Sequence, residues 1–173
     1  ARSAAGRRHG TGDRERVSGF RRGVRIGIDV GKARVGVARC DPDGLLAVPV
    51  ETVPRNEASI ARITALASEY DAFELLVGLP VSLAGNDTAS TDDARTFAAE
   101  LGAASGLPVR LVDERLSTVT AHAALRGAGR SQRSSRRIVD QVAAVVLLQQ
   151  AIDVEKGTGT PAGEPSPDPQ EPA

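Results

Sequence analysis

Hydrophobic and polar positions follow a strand-and-helix rhythm between residues 24 and 155. Val24–Val30 is an apolar run of strand length. Arg34–Cys40 alternates, with Val35 and Val37 on one face and Gly36 and Ala38 on the other. The cluster Asp41-Pro42-Asp43-Gly44 is a turn signal, so Leu45–Thr52 is expected to return as a hairpin partner. Asn56 is expected to cap a helix carrying Ile60, Ile63, Leu66 and Ala67 at helical spacing. Glu74–Val77 reads as a short buried strand, ended by Gly78-Leu79-Pro80. A second helix is expected from Ser90 or Thr91, with the stripe Ala94, Phe97, Ala98 and Leu101, stopped by Gly106 and Pro108. Val109–Val112 is the fifth strand. Ser117 is placed to cap a short helix, Gly127–Ser135 reads as a basic loop, and a last helix runs from about Arg136 to Glu155. Strands separated by helices run parallel to one another, whereas the first three form an antiparallel meander. The expected fold is α/β: a mixed five-stranded sheet flanked by helices.

Composition narrows this picture. The 173 residues, 40% of them hydrophobic, suit one domain with a real core. With three Phe, one Tyr and no Trp, that core must be aliphatic. No apolar run approaches the ~20 residues of a membrane helix, so no membrane role is expected. The single cysteine, Cys40, excludes an internal disulfide and fits a reducing, cytoplasmic setting. The net charge of zero hides an asymmetry: residues 1–23 hold seven Arg against Asp13 and Glu15, and residues 157–173 hold three acids and no base. Residues 1–23 are expected to be a disordered Arg-rich arm, 24–155 the folded domain, and 156–173 a disordered Pro-rich acidic tail.

Three acids stand in apolar settings. Asp29 closes the first strand, Glu114 follows Val109–Val112, and Asp140 lies in Ile138-Val139-Asp140-Gln141-Val142. Buried charges are rare unless paired or bound to a metal. Three carboxylates from three elements would suit Mg²⁺ or Mn²⁺ and metal-assisted phosphodiester hydrolysis. Plainer readings stand beside this one. Asp29 would serve equally as a turn acid, Asp113-Glu114-Arg115 as a surface salt-bridge cluster, and Asp140 as the partner of Arg136 or Arg137. Lys32, Arg34, Arg115, Arg130, Arg133, Arg136 and Arg137 are candidates for nucleic-acid phosphates. A solvated basic face is the alternative for them.

The motifs Gly27-Ile28-Asp29-Val30-Gly31…Val35-Gly36-Val37-Ala38, Val77-Gly78-Leu79-Pro80, Asp113-Glu114-Arg115-Leu116-Ser117-Thr118 and Asp140-Gln141-Val142-Ala143-Ala144 resemble those of the YqgF family, also called RuvX. The resemblance covers about residues 24–154. It implies an RNase H-like fold and a metal-dependent nuclease, with Asp29, Glu114 and Asp140 as catalytic acids and metal ligands. The family's proposed roles are 5′-end processing of pre-16S rRNA and resolution of Holliday junctions. Many members carry a Lys where this chain has Ala33; Lys32 and Arg34 flank that position. Cutting two strands symmetrically requires a homodimer, whereas rRNA processing does not.

Two other classes compete. Ile28-Asp29-Val30-Gly31 also resembles the first phosphate motif of the actin and hexokinase superfamily, but that architecture needs two related domains and this chain has length for one. A non-catalytic nucleic-acid-binding factor would use the Arg-rich segments and leave the acids structural.

Overall fold

A computed structural model describes residues 16–17, 19–114 and 132–167, with side chains described at 19–114 and 138–167. The short helix expected from Ser117 lies outside the described residues. Two short strands, β1 (Arg16–Val17) and β2 (Phe20–Arg21), pair with each other. The main sheet contains β3 (Val24–Val30), β4 (Arg34–Cys40), β5 (Ala47–Pro54), β6 (Ala72–Leu79), β7 (Val109–Asp113) and β8 (Glu164–Pro165). Their order across the sheet is β5-β4-β3-β6-β7-β8. β3, β4 and β5 form the expected antiparallel meander, and β6 and β7 run parallel to β3. The five expected strands are all present, and β8 adds a sixth, antiparallel to β7. β6 is buried along its whole length, as a strand covered on both faces must be.

Helices α1 (Ser59–Glu69) and α2 (Ala89–Ser105) share one core with Ile26, Ile28, Val35, Val37, Leu75, Val77 and Leu111. Helix α3 (Gln132–Thr158) packs on the other face, where Ala144, Leu147, Leu148, Ala151 and Ile152 meet Ala38, Leu76 and Val112. These helix positions recur at three and four residues, which puts them on one stripe. The strand positions obey the period of two. Gly36 sets the height of α3 above β4. A Cβ there would collide with the backbone carbonyl of Asp140. Because Asp29 is the cross-strand partner of Gly36, this approach brings the start of α3 beside the end of β3.

Local caps differ from the sequence expectation. Asn56 does not cap α1; it turns the chain ahead of it, its Oδ1 accepting the Ala58 amide at 2.8 Å, and Ala58 takes the N-cap position. Helix α2 is capped by Thr88 in a reciprocal arrangement with Thr91, two residues before the expected start.

The stretches expected to be disordered contribute to the fold at both ends. Phe20 is buried in the α3 core, and Arg21 belongs to an ionic cluster beneath it. At the other end, Arg110 donates from Nε to the Ala162 carbonyl at 2.8 Å and from Nη2 to that of Gly163 at 2.7 Å, holding the chain while β8 joins β7. Phe20 is a single apolar residue in a polar stretch, and the other contacts use backbone carbonyls and ion pairs, so composition carries little sign of them.

The ionic cluster lies at the end of the sheet remote from Asp29. Arg25 Nη2 sits 2.9 Å from Glu155 Oε2, Arg21 Nε 2.8 Å from Glu155 Oε1, and Arg21 Nη2 2.9 Å from Glu74 Oε2. Both arginines lie over the Phe73 ring. Arg25, Glu74 and Glu155 are each no more than 2% exposed. Removing one member strands the opposite charge, so Glu155→Gln is expected to destabilise the fold by about 3 kcal/mol, measured by urea unfolding near neutral pH. Burial pushes the Glu155 carboxyl up. The hydrogen bonds from Arg21 and the charges of Arg25 and Arg21 outweigh it and hold the group below its ordinary 4.5. The folded state therefore binds this proton less readily than the unfolded chain. Its contribution is complete above 4.5 and is lost as pH falls through the lowered value. Glu155→Gln should flatten that acid limb of the stability curve.

Candidate active site

Asp29 lies one residue before the end of β3. Ile26 and Ile28 point into the core shared with α1 and α2, so alternation turns Asp29 toward α3. Glu114 follows β7. Val112 belongs to the α3 core, which places Glu114 on the same side. Strand β6 runs between them, with Val77 opposite Ile28 and Gly78 opposite Val112. Gly78 leaves β6 bare at the level of the two acids. A Cβ on it would lie 2.6 Å from Glu114 Oε2. The Glu114 side chain thus crosses a floor that only glycine provides, and it reaches Asp29 with a hydrogen bond.

Electrostatics follow from that contact. Burial raises the Asp29 carboxyl above its ordinary 3.8; the hydrogen bond from Glu114 pulls it back, and the charge of Asp140 raises it again. Burial likewise raises Glu114, and the charge of Asp29, the hydrogen bond between them and the charge of Asp113 lift it further, to about 8. A hydrogen bond between two carboxyls needs a proton on one of them, and Glu114, raised to about 8, keeps its proton at neutral pH.

Asp140 stands at the head of the buried stripe of α3, one turn before Ala144. Its charge is felt at Asp29, while its own carboxylate holds Arg34, with Nε 2.8 Å from Oδ2. Among the described residues, no three His, Cys, Asp or Glu side chains close into a metal-holding group. The structure therefore brings Asp29 and Glu114 into direct contact and sets Asp140 beside them on an ion pair.

The basic candidates divide. Lys32 is exposed in the β3–β4 turn and lines an open cleft with Arg55, Ser90 and Asp93. Arg34 is engaged with Asp140. Arg115 and Arg130 lie outside the described residues. Arg133, Arg136 and Arg137 contribute backbone to α3, and their side chains also lie outside the description. Asp140 pairs with Arg34 on β4 because the close approach at Gly36 brings α3 onto that strand, a contact that helical spacing does not show.

Three positions escaped the sequence reading. The sequence expects Gly78 to help end the strand, yet it lies inside β6 as the floor of the site. Gly36 admits the Asp140 backbone. Arg55 grips Asp93 with both terminal nitrogens, at 2.9 and 2.8 Å, donates to the Gly31 carbonyl at 3.0 Å, and stacks on Phe97. It ties the turn after Asp29 to α2. Gly78 and Gly36 stand in the motifs Val77-Gly78-Leu79-Pro80 and Val35-Gly36-Val37-Ala38, whereas Arg55 stands in none.

Cys40 is buried, its Sγ accepting the Arg25 amide at 3.3 Å, which removes it as a surface cross-link. Among the described residues no helix is long and apolar enough to cross a membrane.

Comparison with known proteins bears on this geometry. The family model described as "RuvX: Holliday junction resolvase" matches residues 23–154. A protein of Clavibacter michiganensis subsp. michiganensis, named "Putative pre-16S rRNA nuclease", is 56% identical over 147 residues, covering 83% of this chain and 91% of its own. A protein of Streptomyces coelicolor with the same name is 49% identical over 148 residues, covering 84% and 89%. Among solved structures, RuvC of T. thermophilus in complex with a Holliday junction substrate covers 82% of this chain and 98% of its own. Its TM-score is 0.50 at 19% identity, a likeness of fold.

Proposed function

The chain belongs to the RuvX family, and on that footing we propose that it hydrolyses phosphodiester bonds of structured nucleic acid at a centre built from Asp29, Glu114 and Asp140, with Mg²⁺ or Mn²⁺ as cofactor. The observation that carries this reading is the Asp29–Glu114 pair. Two carboxyls are pressed together over the bare backbone of Gly78, in surroundings that raise both. Such a pair has no packing value, and a hard divalent cation suits its all-oxygen donor set. Asp29 and Glu114 would hold the ion, and Asp140 would complete its protein ligands. When bound, the ion supplies charge stabilisation at the phosphodiester and activates the attacking water.

The protein's own groups supply orientation and a proton. At neutral pH the Glu114 carboxyl, raised to about 8, keeps its proton, and that proton must leave as the pair becomes fully ionised. Gly78 gives Glu114 its path, and Arg55 holds the turn that presents Asp29 and Lys32. Lys32 and the arginines of 115–137 would take flanking phosphates. They read backbone rather than sequence, as suits a substrate recognised by shape.

The names of the curated relatives support pre-16S rRNA as the substrate, and processing of its 5′ end is the role we propose. The family description supports Holliday junction resolution as the second reading. Purified protein should cleave a pre-16S leader RNA or a four-way DNA junction with Mg²⁺ or Mn²⁺, and not with EDTA. Glu114→Gln should lose this activity. Cleavage unchanged by EDTA, or retained by Glu114→Gln, would show that the assigned centre is wrong. The basic segment should make binding salt-dependent, with affinity falling steeply between about 50 and 200 mM salt in a filter-binding assay.

A further inference from the structure

We propose that Arg34 is a displaceable counter-ion that occupies the Asp140 carboxylate beside the Asp29–Glu114 pair until a backbone phosphate of the nucleic acid takes the guanidinium. This rests on the reading of Asp29, Glu114 and Asp140 as a metal-binding set.

The geometry leads to it directly. Arg34 opens β4 two residues before Gly36, so both point to the α3 face. Gly36 touches the Asp140 backbone, and Arg34 therefore meets the Asp140 side chain from the sheet. Its position is fixed by the turn, where the Gly31 amide donates to the Arg34 carbonyl at 2.9 Å. The pair it makes differs from the ionic cluster at the other end of the sheet. Arg25 and Glu155 have side chains 1% and 3% exposed, whereas those of Arg34 and Asp140 are 33% and 18% exposed. A pair reached by solvent is weak and exchanges partners.

Phosphodiester hydrolysis offers both exchange partners at once. A phosphate oxygen is a matching bidentate acceptor for a guanidinium, and a divalent cation is a better partner for a carboxylate than an arginine is. Release of Arg34 to the phosphate frees Asp140 to face Asp29, whose carboxyl already feels its charge. Charge is conserved through the exchange: the carboxylate trades one cation for another, and the arginine trades one anion for another. Metal and substrate affinities are then coupled, each raising the other by the same factor. Arg34 acts as a positioning residue.

The test is a mutant cycle read by Mn²⁺ binding, followed through the electron paramagnetic resonance of free Mn²⁺ without nucleic acid. The proteins are wild type, Asp140→Asn, Arg34→Gln and the double variant. Asp140→Asn alone should change the Mn²⁺ affinity less than about 2-fold, because Asp140 is already occupied. Arg34→Gln should bind Mn²⁺ about 10-fold tighter, and adding Asp140→Asn to it should reverse that gain. Arg34→Lys, which keeps a charge opposite Asp140, should stay near wild type. Equal losses from Asp140→Asn in both backgrounds would overturn the proposal, as would a gain from Arg34→Gln that survives in the double variant. Mn²⁺ binding that is unaffected by Asp29→Asn would instead overturn the metal reading itself. Circular dichroism of each variant confirms the fold.

Discussion

Replacing Asp29 with asparagine should leave the fold intact and reduce nucleic-acid cleavage by about 10³-fold or more. The substitution keeps size and hydrogen bonding but removes the charge that a divalent cation needs, a loss of several kcal/mol of transition-state stabilisation. The same change should stabilise the metal-free protein. Burial together with the charge of Asp140 raises the Asp29 carboxyl in the fold, against the hydrogen bond from Glu114 that lowers it. For a carboxyl raised on folding, stability is greatest below its unfolded value and declines as pH rises toward its folded value. Glu114 makes the window explicit: the decline runs from 4.5 to about 8. Asp29→Asn and Glu114→Gln should each remove part of that decline. Each is expected to raise the melting temperature at neutral pH by about 4 °C for each kcal/mol relieved. Lower activity with higher stability is the signature of a site held at the expense of the fold. An Asp29→Asn protein that is inactive because it is unfolded would show the opposite in a thermal melt.

Gly78→Ala should reduce cleavage by about 10²-fold with little change in the backbone. The new methyl would lie 2.6 Å from Glu114 Oε2, so the carboxyl must swing away from Asp29. Misplacing a catalytic group by about 1 Å is enough for a loss of that size. A control separates this effect from a general dislike of alanine. At Gly102 on α2, the nearest atom to an added Cβ is Val109 Cγ2 at 3.4 Å. Gly102→Ala should keep full activity and gain a few tenths of a kcal/mol, about what an alanine adds to a helix interior. Single-turnover rates with a junction or leader-RNA substrate, alongside thermal melts, distinguish the two. Equal activity in Gly78→Ala and wild type would mean that Glu114 does not work in the position seen.

The parts of this molecule legible from sequence were those set by periodicity. Val35 and Val37 against Gly36 and Ala38 gave away both faces of β4, and the antiparallel meander followed from Asp41-Pro42-Asp43-Gly44. The three acids announced themselves by standing in apolar runs, and the structure places Asp29 against Glu114 with Asp140 one ion pair away. The remainder depends on contacts between distant residues. Nothing near Glu155 in the chain shows that Arg21 and Arg25 meet it from 134 and 130 residues away. A pattern that treats arginine as surface therefore misplaces the start of the fold. The tail was misjudged for a related reason: Glu164–Pro165 adds to the sheet through backbone pairing and through Arg110, which carry no hydrophobic signal. Gly78 shows the limit most clearly, because the sequence records only that a side chain is missing, and the fold decides which carboxyl occupies the space.

On the proposed reading, a divalent cation replaces the proton held between Asp29 and Glu114. Titration calorimetry with Mg²⁺ or Mn²⁺ near pH 7, repeated in buffers of different ionisation enthalpy, counts the protons released per ion bound. About one proton should leave the wild-type protein, because Glu114 is raised to about 8 and is still protonated at that pH. None should leave Glu114→Gln. Metal binding without proton release from the wild type, or release undiminished in Glu114→Gln, would contradict that reading.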